Sequence, residues 1–336
     1  MNEIRWGVIG CGHIANTFMK SMSAVSNATV VACAASDTKR AKDFAKTYDI
    51  TSSFGSYNDM LADRSIHAIY VATTHNFHFE HIMLSLRHGK HVLCEKPLTL
   101  NAKQASAAFK LAEDSNLLLV EAVWTRFLPA IAEVKNIIKN GLIGEVQAVQ
   151  ANFSLNRDLP DTHRLLDPKL AGGALLDLGI YPITIADIVF DEAPINITSQ
   201  HVTAKTGVDL NSFYTLEYIN GKTAQLSAGS KMSGPTYANI MGDKGVIYIP
   251  NFLGAKSFSV RIEGEEAKEF SYPFEDGHNF SFEIDSFTKA LLNETESSGD
   301  VHHTLSVQEM PTNATLRVMT IMDEIRAQWG LMYDNE

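Results

Sequence analysis

The sequence predicts an α/β protein of two domains. Residues 1–123 read as a doubly wound parallel sheet, and residues 124–336 as an α+β domain built on a largely antiparallel open sheet. Three observations predict this. Strand-like and helix-like stretches alternate through the first third at the pace of repeated βαβ units, which places helices on both faces of a parallel sheet. After Val123 the pattern changes to successive strands, the mark of an α+β arrangement. A length of 336 residues, 45% hydrophobic and 20% charged, suits two ordinary globular domains.

The elements follow in order. Ile4–Ile9 is an apolar strand, and Ile14, Phe18, Met22 and Val25 then recur at helical spacing. A strand is expected over 29–35, a helix over 39–48, a strand over 66–72, and a helix over 82–87 that stops before Gly89. Strands at 91–94 and 117–120 flank a helix at 102–113. The domain boundary falls near 121–126. A helix over 131–139 ends in Asn140-Gly141, a pair suited to a left-handed stop. Further strands are expected at 145–155, 196–204, 213–219, 224–230, 237–241 and 246–249. Ile219-Asn220-Gly221-Lys222 reads as a hairpin turn, since both central residues tolerate positive φ. Helices over 280–292 and Thr312–Trp329 close the chain.

Composition excludes several function classes. No window of eighteen uninterrupted apolar residues predicts a membrane span, and no membrane partner is expected. The first strand begins at Ile4, leaving no room for a signal peptide. Three scattered cysteines, Cys11, Cys33 and Cys94, suit neither a disulfide framework nor a four-thiolate metal site. A cytoplasmic, reduced protein is the expectation. The net charge of −11 is concentrated late in the chain. Residues 1–123 carry 12 Lys and Arg against 11 Asp and Glu, and the rest carry 16 against 28. An acidic surface repels polyphosphate, so nucleic acid is not an expected partner.

Gly10-Cys11-Gly12-His13-Ile14-Ala15 has the form G-x-G-x-x-A between a strand and a helix. That context defines the Rossmann dinucleotide fingerprint. Gly10 permits the tight turn, Gly12 lets the backbone approach a pyrophosphate, and Ala15 lets helix and strand pack closely. His13 and Ile14 open the helix whose N-terminus faces the anion. At the end of the second strand, an acid would bind the ribose 2′-hydroxyl of NAD. Here Ser36 leaves room for a 2′-phosphate, and Lys39 and Arg40 can bond to it. The pattern favours NADP. NAD remains open, because Asp37 could reach the ribose.

Glu95-Lys96-Pro97 follows the fourth predicted strand, at the sheet end where ligands bind. Pro97 holds Lys96 out of the α region and can itself be cis. In the segment 172–181, Asp177 and Tyr181 share one helical face. A lysine beside a carboxylate and a phenol makes a proton-transfer set. Without Lys96 beside them, a helix-start acid and a core aromatic are the simpler readings. His75, His78 and His81 have a spacing that could hold zinc, but their place after a strand points to a cofactor-side loop, and no metal is expected. His78-Phe79-Glu80 lacks the P-C-x-x-C partner of a zinc deaminase. His302-His303 reads as a solvated turn.

Together these segments resemble the glucose–fructose oxidoreductase/inositol dehydrogenase (Gfo/Idh/MocA) family over nearly the whole length. The resemblance is carried by Gly10-x-Gly12-x-x-Ala15, by Ala72-Thr73-Thr74-His75 with His78, by 89–97 ending in Glu95-Lys96-Pro97, by 121–127 and by 172–181. Trp124-Thr125-Arg126-Phe127 and Gly179-Ile180-Tyr181 resemble its dimeric dihydrodiol dehydrogenase and NADP-dependent D-xylose 1-dehydrogenase subgroup. The resemblance implies Lys96 and Tyr181 as the catalytic pair, with Asp177 as their supporting carboxylate. It implies cofactor contacts from Thr73, Thr74, His75, His78, Glu95 and Lys96. It implies a substrate pocket of Trp124, Arg126 and Phe127, with Arg164 touching substrate or cofactor. Relatives often carry Arg where Ser36 stands.

The expected activity is hydride transfer between a hydroxyl-bearing carbon of a sugar or trans-dihydrodiol and nicotinamide C4. Two alternatives remain: another enzyme of the family, such as an inositol dehydrogenase, or a non-catalytic dinucleotide sensor. The expected partners are a small polyol, aldose or dihydrodiol and a second copy of the chain. A homodimer is expected through the second sheet, whose strands place Val146, Ala148, Phe153, Phe213, Tyr214, Leu216, Ile240 and Met241 on both faces.

Overall fold

A computed structural model describes residues 2–296, 305–334 and 336 and divides the chain into two compact units. The first comprises Met1–Trp124 and Glu275–Thr312, the second Thr125–Phe274 and Asn313–Glu336. His302 and His303 lie outside the described residues.

The first unit alternates as the periodicity requires: β1 (Ile4–Ile9), α1 (His13–Met22), β2 (Ala28–Ala34), α2 (Thr38–Tyr48), β3 (Ser52–Phe54), α3 (Tyr57–Leu61), β4 (Ala68–Val71), α4 (His78–Arg87), β5 (His91–Glu95), α5 (Ala102–Asp114) and β6 (Leu119–Ala122). The strand order is β3-β2-β1-β4-β5-β6, with every pair parallel. The winding reverses between β1 and β4, so their carboxyl ends open a crevice for ligand. The short pair β3 and α3 escaped the sequence reading, because the three residues of β3 are only half-buried and form no apolar run.

The second unit opens with α6 (Pro129–Lys139), β7 (Val146–Ser154) and α7 (Ile180–Phe190). Then come β8 (Asn196–Thr203), β9 (Asp209–Glu217), β10 (Thr223–Gly229), β11 (Tyr237–Gly242), β12 (Gly245–Pro250), β13 (Ser257–Ile262) and β14 (Lys268–Ser271). The eight strands run in the order β14-β13-β12-β11-β7-β10-β9-β8, antiparallel except for β7 with β10. The predicted hairpin joins β9 to β10, with φ of 64° at Asn220 and 76° at Gly221. Pro168–Phe190 is long and apolar enough to cross a membrane, at a mean hydropathy of 1.6. Yet 89% of its apolar window is buried within the protein, as for a core helix.

Two expectations need correction. Residues 124–336 do not all belong to the second domain. Helix α8 (Ser281–Glu296) turns Ile284, Phe287 and Leu291 into the first unit, where the Phe287 ring lies 5.0 Å from Trp6. Phe18 stacks on Tyr70 in the same core, at 3.8 Å. An apolar stripe reveals that a helix is buried but not which core it covers. Helix α9 (Thr312–Trp329) returns to the second unit from Asn313 onward.

The second correction concerns the open sheet face. Val146, Phe153, Tyr214, Leu216 and Ile240 all point to the covered side, Ala148 and Met241 are half-buried, and only Phe213 is exposed, at 46%. The outward positions instead hold Gln150, Thr215, Gln225 and Ser227, and Gln150 Nε2 donates to Gln225 Oε1 at 3.1 Å. Alternation is regular along β9 and β10, whose outward positions are mostly polar, and it is interrupted in β7 where the register with β11 shifts between Val146 and Ala148.

Candidate active site

In the first unit, the β1–α1 turn has the shape the fingerprint demands. Gly10 has φ of +95°, and a Cβ there would stand 2.8 Å from the Ala72 carbonyl oxygen, so only glycine fits. Gly12 is the opposite case: a Cβ there would meet nothing within 4 Å. Its missing side chain leaves space for an incoming group and relieves no internal clash. Helix α1 starts at His13 with no side-chain cap and no acid in its first turn. Its amide hydrogens and positive end are therefore available to an anion. His13 is exposed beside this opening, Ile14 is half-buried, and Ala15 is fully buried against the sheet. The cradle fits a dinucleotide pyrophosphate.

The end of β2 bears on the choice between NAD and NADP. Asp37 caps α2, its Oδ1 accepting the Lys39 and Arg40 amides at 2.8 and 3.4 Å. Arg40 Nη2 donates to Ser36 Oγ at 3.1 Å, and both residues are exposed. Lys39 instead pairs with Asp43 at 3.2 Å. Tyr57, which the sequence did not single out, stands beside them. Burial pushes its phenol up, while the Arg40 charge and Ser36 pull it down. Its place on the short α3 left no periodic signal.

The carboxyl ends of β4 and β5 carry the remaining first-unit candidates. Thr73 Oγ1 lies 3.0 Å from His81 Nδ1, and Thr74 Oγ1 donates to Asn76 Oδ1 at 2.7 Å. His75 is buried, with its ring 5.7 Å from that of His78. Two of the expected cofactor residues, His78 and Glu95, are buried. His78 is fully buried, with Nδ1 2.8 Å from the Pro97 carbonyl and Nε2 3.1 Å from that of Thr73. It braces the two loops, and burial pushes its pKa down to about 3. Glu95 also turns inward and accepts a hydrogen bond from the Tyr70 hydroxyl. Lys96 is half-buried, alone between the buried runs 92–95 and 97–100, and the Lys96–Pro97 bond is cis. Among the described residues, no three His, Cys, Asp or Glu side chains are grouped to hold a metal.

In the second unit, Asp177 and Tyr181 lie on the buried helical stretch expected for them, with one difference. Residues Leu175–Gly179 form a π turn that runs into α7, and the Ile180 amide bonds to the Leu175 carbonyl five residues back. Such turns concentrate at functional sites, and no sequence pattern announces them. Asp177 is buried and ion-paired with Arg164, Nη2 to Oδ2 at 3.3 Å and Nη1 to Oδ1 at 3.4 Å. The half-exposed Arg164 is thus joined to Asp177. Tyr181 is buried, with Phe153 edge-on at 5.7 Å. This phenol, with a paired carboxylate four residues before it, can transfer a proton.

The segment 124–127 is divided between the units. Trp124 belongs to the first, its ring 5.7 Å from Phe280. Arg126 and Phe127 belong to the second and are buried. Arg126 Nη1 pairs with Asp187 at 2.8 Å, and Arg317 Nε holds the other oxygen of that carboxylate at 2.7 Å. Arg126 thus anchors α7 through Asp187.

Comparison with known proteins agrees with this two-part fold. Residues 4–122 match the oxidoreductase family with an NAD-binding Rossmann fold, GFO_IDH_MocA, and residues 131–248 match the GFO/IDH/MocA C-terminal domain. The chain is 34% identical over 339 residues to a trans-1,2-dihydrobenzene-1,2-diol dehydrogenase of Xenopus laevis, covering 98% of this chain and 99% of that one. It is 30% identical over 343 residues to the Homo sapiens protein of that name, covering 99% of each. Among solved structures, a 3-ketoreductase from Actinomadura kijaniata in complex with NADP and TDP-benzene superposes with a TM-score of 0.83 at 28% identity, covering 97% and 98% of the two chains. An aldose–aldose oxidoreductase from Caulobacter crescentus shares the fold, with a TM-score of 0.85 at 19% identity and 98% of each chain covered.

Proposed function

This chain belongs to the Gfo/Idh/MocA oxidoreductase family, and from that premise we propose an NADP-dependent dehydrogenase acting on a trans-dihydrodiol or aldose hydroxyl. The carrying observation is Tyr181, a buried phenol four residues beyond the Arg164-paired carboxylate Asp177. The full-length relatives named as dihydrodiol dehydrogenases support the substrate class. Bound NADP supplies the hydride acceptor.

The chain's own residues do the rest. Gly10, Gly12 and the first turn of α1 hold the pyrophosphate. Ser36 and Arg40 hold the 2′-phosphate, since Asp37 is engaged as a helix cap. Thr73, Thr74 and His75 border the crevice at the end of β4. Tyr181 takes the proton of the substrate hydroxyl, and Asp177, fixed by Arg164, supports it. Lys96 supplies the cation that favours the phenolate, a role carried over from the family resemblance. Trp124 borders the substrate.

The test is a screen of purified protein with NADP and NAD against trans-dihydrodiols, aldoses and inositols, followed at the absorbance of reduced nicotinamide. Turnover of a diol or aldose with NADP is expected. Turnover of inositol alone, or of nothing, contradicts the proposal. A homodimer in the cytoplasm belongs to the same reading. The three buried free cysteines support a reducing compartment, and the exposed Phe213 and Tyr248 on the second sheet support pairing there. Light scattering should give twice the 37.0 kDa chain mass. A 37.0 kDa particle at micromolar concentration contradicts the dimer.

A further inference from the structure

The π turn Leu175–Gly179 is an uncommon backbone form, and a buried carboxylate bonds its front while a hydrogen-bonded chain from that carboxylate packs against its back. Asp209, at the start of β9, is 1% exposed. Its Oδ2 accepts the Leu175 amide at 2.7 Å, at the front of the turn. The same oxygen accepts from Ser212 Oγ at 3.4 Å. Ser212 is in turn hydrogen-bonded to the Tyr214 hydroxyl. That hydroxyl lies 2.6 Å from where a Cβ on Gly179 would stand, at the back of the turn. Asp209 Oδ1 has no hydrogen-bond partner and occupies the space of a Cβ on Gly173, whose φ is +125°. Tyr333, from the end of the chain, donates to the Gly172 carbonyl at 2.6 Å beside it.

From this geometry we infer that Asp209 is a positioning residue for the reaction: with Ser212 and Tyr214 it clamps the π turn, and so fixes Asp177 within the turn and Tyr181 just beyond it. The inference rests on the role given to Tyr181 above. Burying a carboxylate with one oxygen unpaired opposes ionisation, and burial pushes Asp209 up to about 6. The Leu175 amide, the Asp209 amide, Ser212 and the Ala174 amide pull it back. The titratable groups facing it are Tyr214 and Tyr333, both pushed up by burial and by its charge, with Arg326 and Glu336 acting on Tyr333. At neutral pH the clamp therefore carries a charge-assisted bond to the helix start, and in acid it loses that charge.

The experiment uses Asp209→Asn, Asp209→Ala and Tyr214→Phe in the full chain. Hydrogen exchange of the backbone across 174–181 is followed by mass spectrometry, and kcat and KM are measured from pH 5 to 8. Exchange across 174–181 should quicken at least tenfold in Asp209→Ala and several-fold in Tyr214→Phe, with the first unit unchanged. Asp209→Asn should keep KM within twofold. The wild-type to Asn ratio in kcat should be about tenfold above pH 7 and approach one near pH 5, where Asp209 is protonated. A role limited to stability would give a ratio constant with pH. If Asp209→Ala fails to fold, Asp209→Asn and Tyr214→Phe decide. Exchange like the wild type in the folded variants, or a ratio flat across pH, overturns the inference. If the wild type turns over no diol or aldose, the proposed function fails, and the exchange result alone decides the clamp.

Discussion

Replacing Arg40 by Ala should separate NADP from NAD. In the structure Arg40 Nη2 reaches Ser36 Oγ at 3.1 Å, while Asp37 is engaged on the amides of α2. The end of β2 thus presents a guanidinium and a carboxylate already engaged as a helix cap. A charge-assisted hydrogen bond contributes about 1.5–3 kcal/mol, and Arg40 is exposed, so solvent screening reduces this to about 1–2 kcal/mol. The dissociation constant for NADP should rise about 5- to 30-fold, and that for NAD should stay within about twofold. Calorimetric titration with both cofactors measures this directly. Lys39→Ala is the control: its ammonium pairs with Asp43, so neither affinity should move. Equal losses for both cofactors, or none for either, would refute the assignment of the 2′-phosphate site.

Other expectations follow from the same structure. Gly10→Ala should destabilise the fold by several kcal/mol, because φ is +95° and the Ala72 carbonyl blocks the methyl group, whereas Gly12→Ala should leave the Tm unchanged and weaken cofactor binding; paired melting and binding curves check both. Lys96→Met should lower kcat at least tenfold with NADP affinity within about tenfold, or ~1.4 kcal/mol, by steady-state kinetics and titration. Acid should destabilise the first unit through His91. Its half-buried ring accepts the Leu118 amide at 3.0 Å, and desolvation lowers its pKa from the ordinary value to about 4. That stability is present above about 6.5 and is lost as pH falls through 4, worth up to about 3 kcal/mol by urea unfolding, and His91→Gln should reduce the dependence while the share of His78 remains.

Much of the cofactor half was legible in the sequence, because its signals are local. A glycine turn between β1 and α1 needs no partner from elsewhere in the chain. Asn220-Gly221 likewise announced the β9–β10 hairpin through backbone conformation alone. The residues that escaped depend on contacts across long stretches of chain. Asp209 reads as an ordinary acid at a strand start, and its role appears only when the amide of Leu175, 34 residues earlier, lies against it. His78 and Glu95 sit in the right loops but turn inward, a choice set by burial that spacing does not encode. The family resemblance implied Arg126 beside substrate, but its ion pair with Asp187, 61 residues away, could not be read from the sequence. Helix α8 shows the limit for whole elements. Its apolar stripe was visible, but the core it joins was fixed by Trp6 at the other end of the sequence.

The central claim is that Tyr181 moves the substrate proton during hydride transfer to NADP. Single-turnover reduction of NADP by a trans-dihydrodiol, compared between the wild type and Tyr181→Phe, tests it most directly. General acid–base groups contribute about 10²–10⁴-fold. The variant should therefore lose at least about a hundredfold in the hydride-transfer rate while its affinity for NADP stays within about twofold. A Tyr181→Phe enzyme that reduces NADP at the wild-type rate would contradict the account.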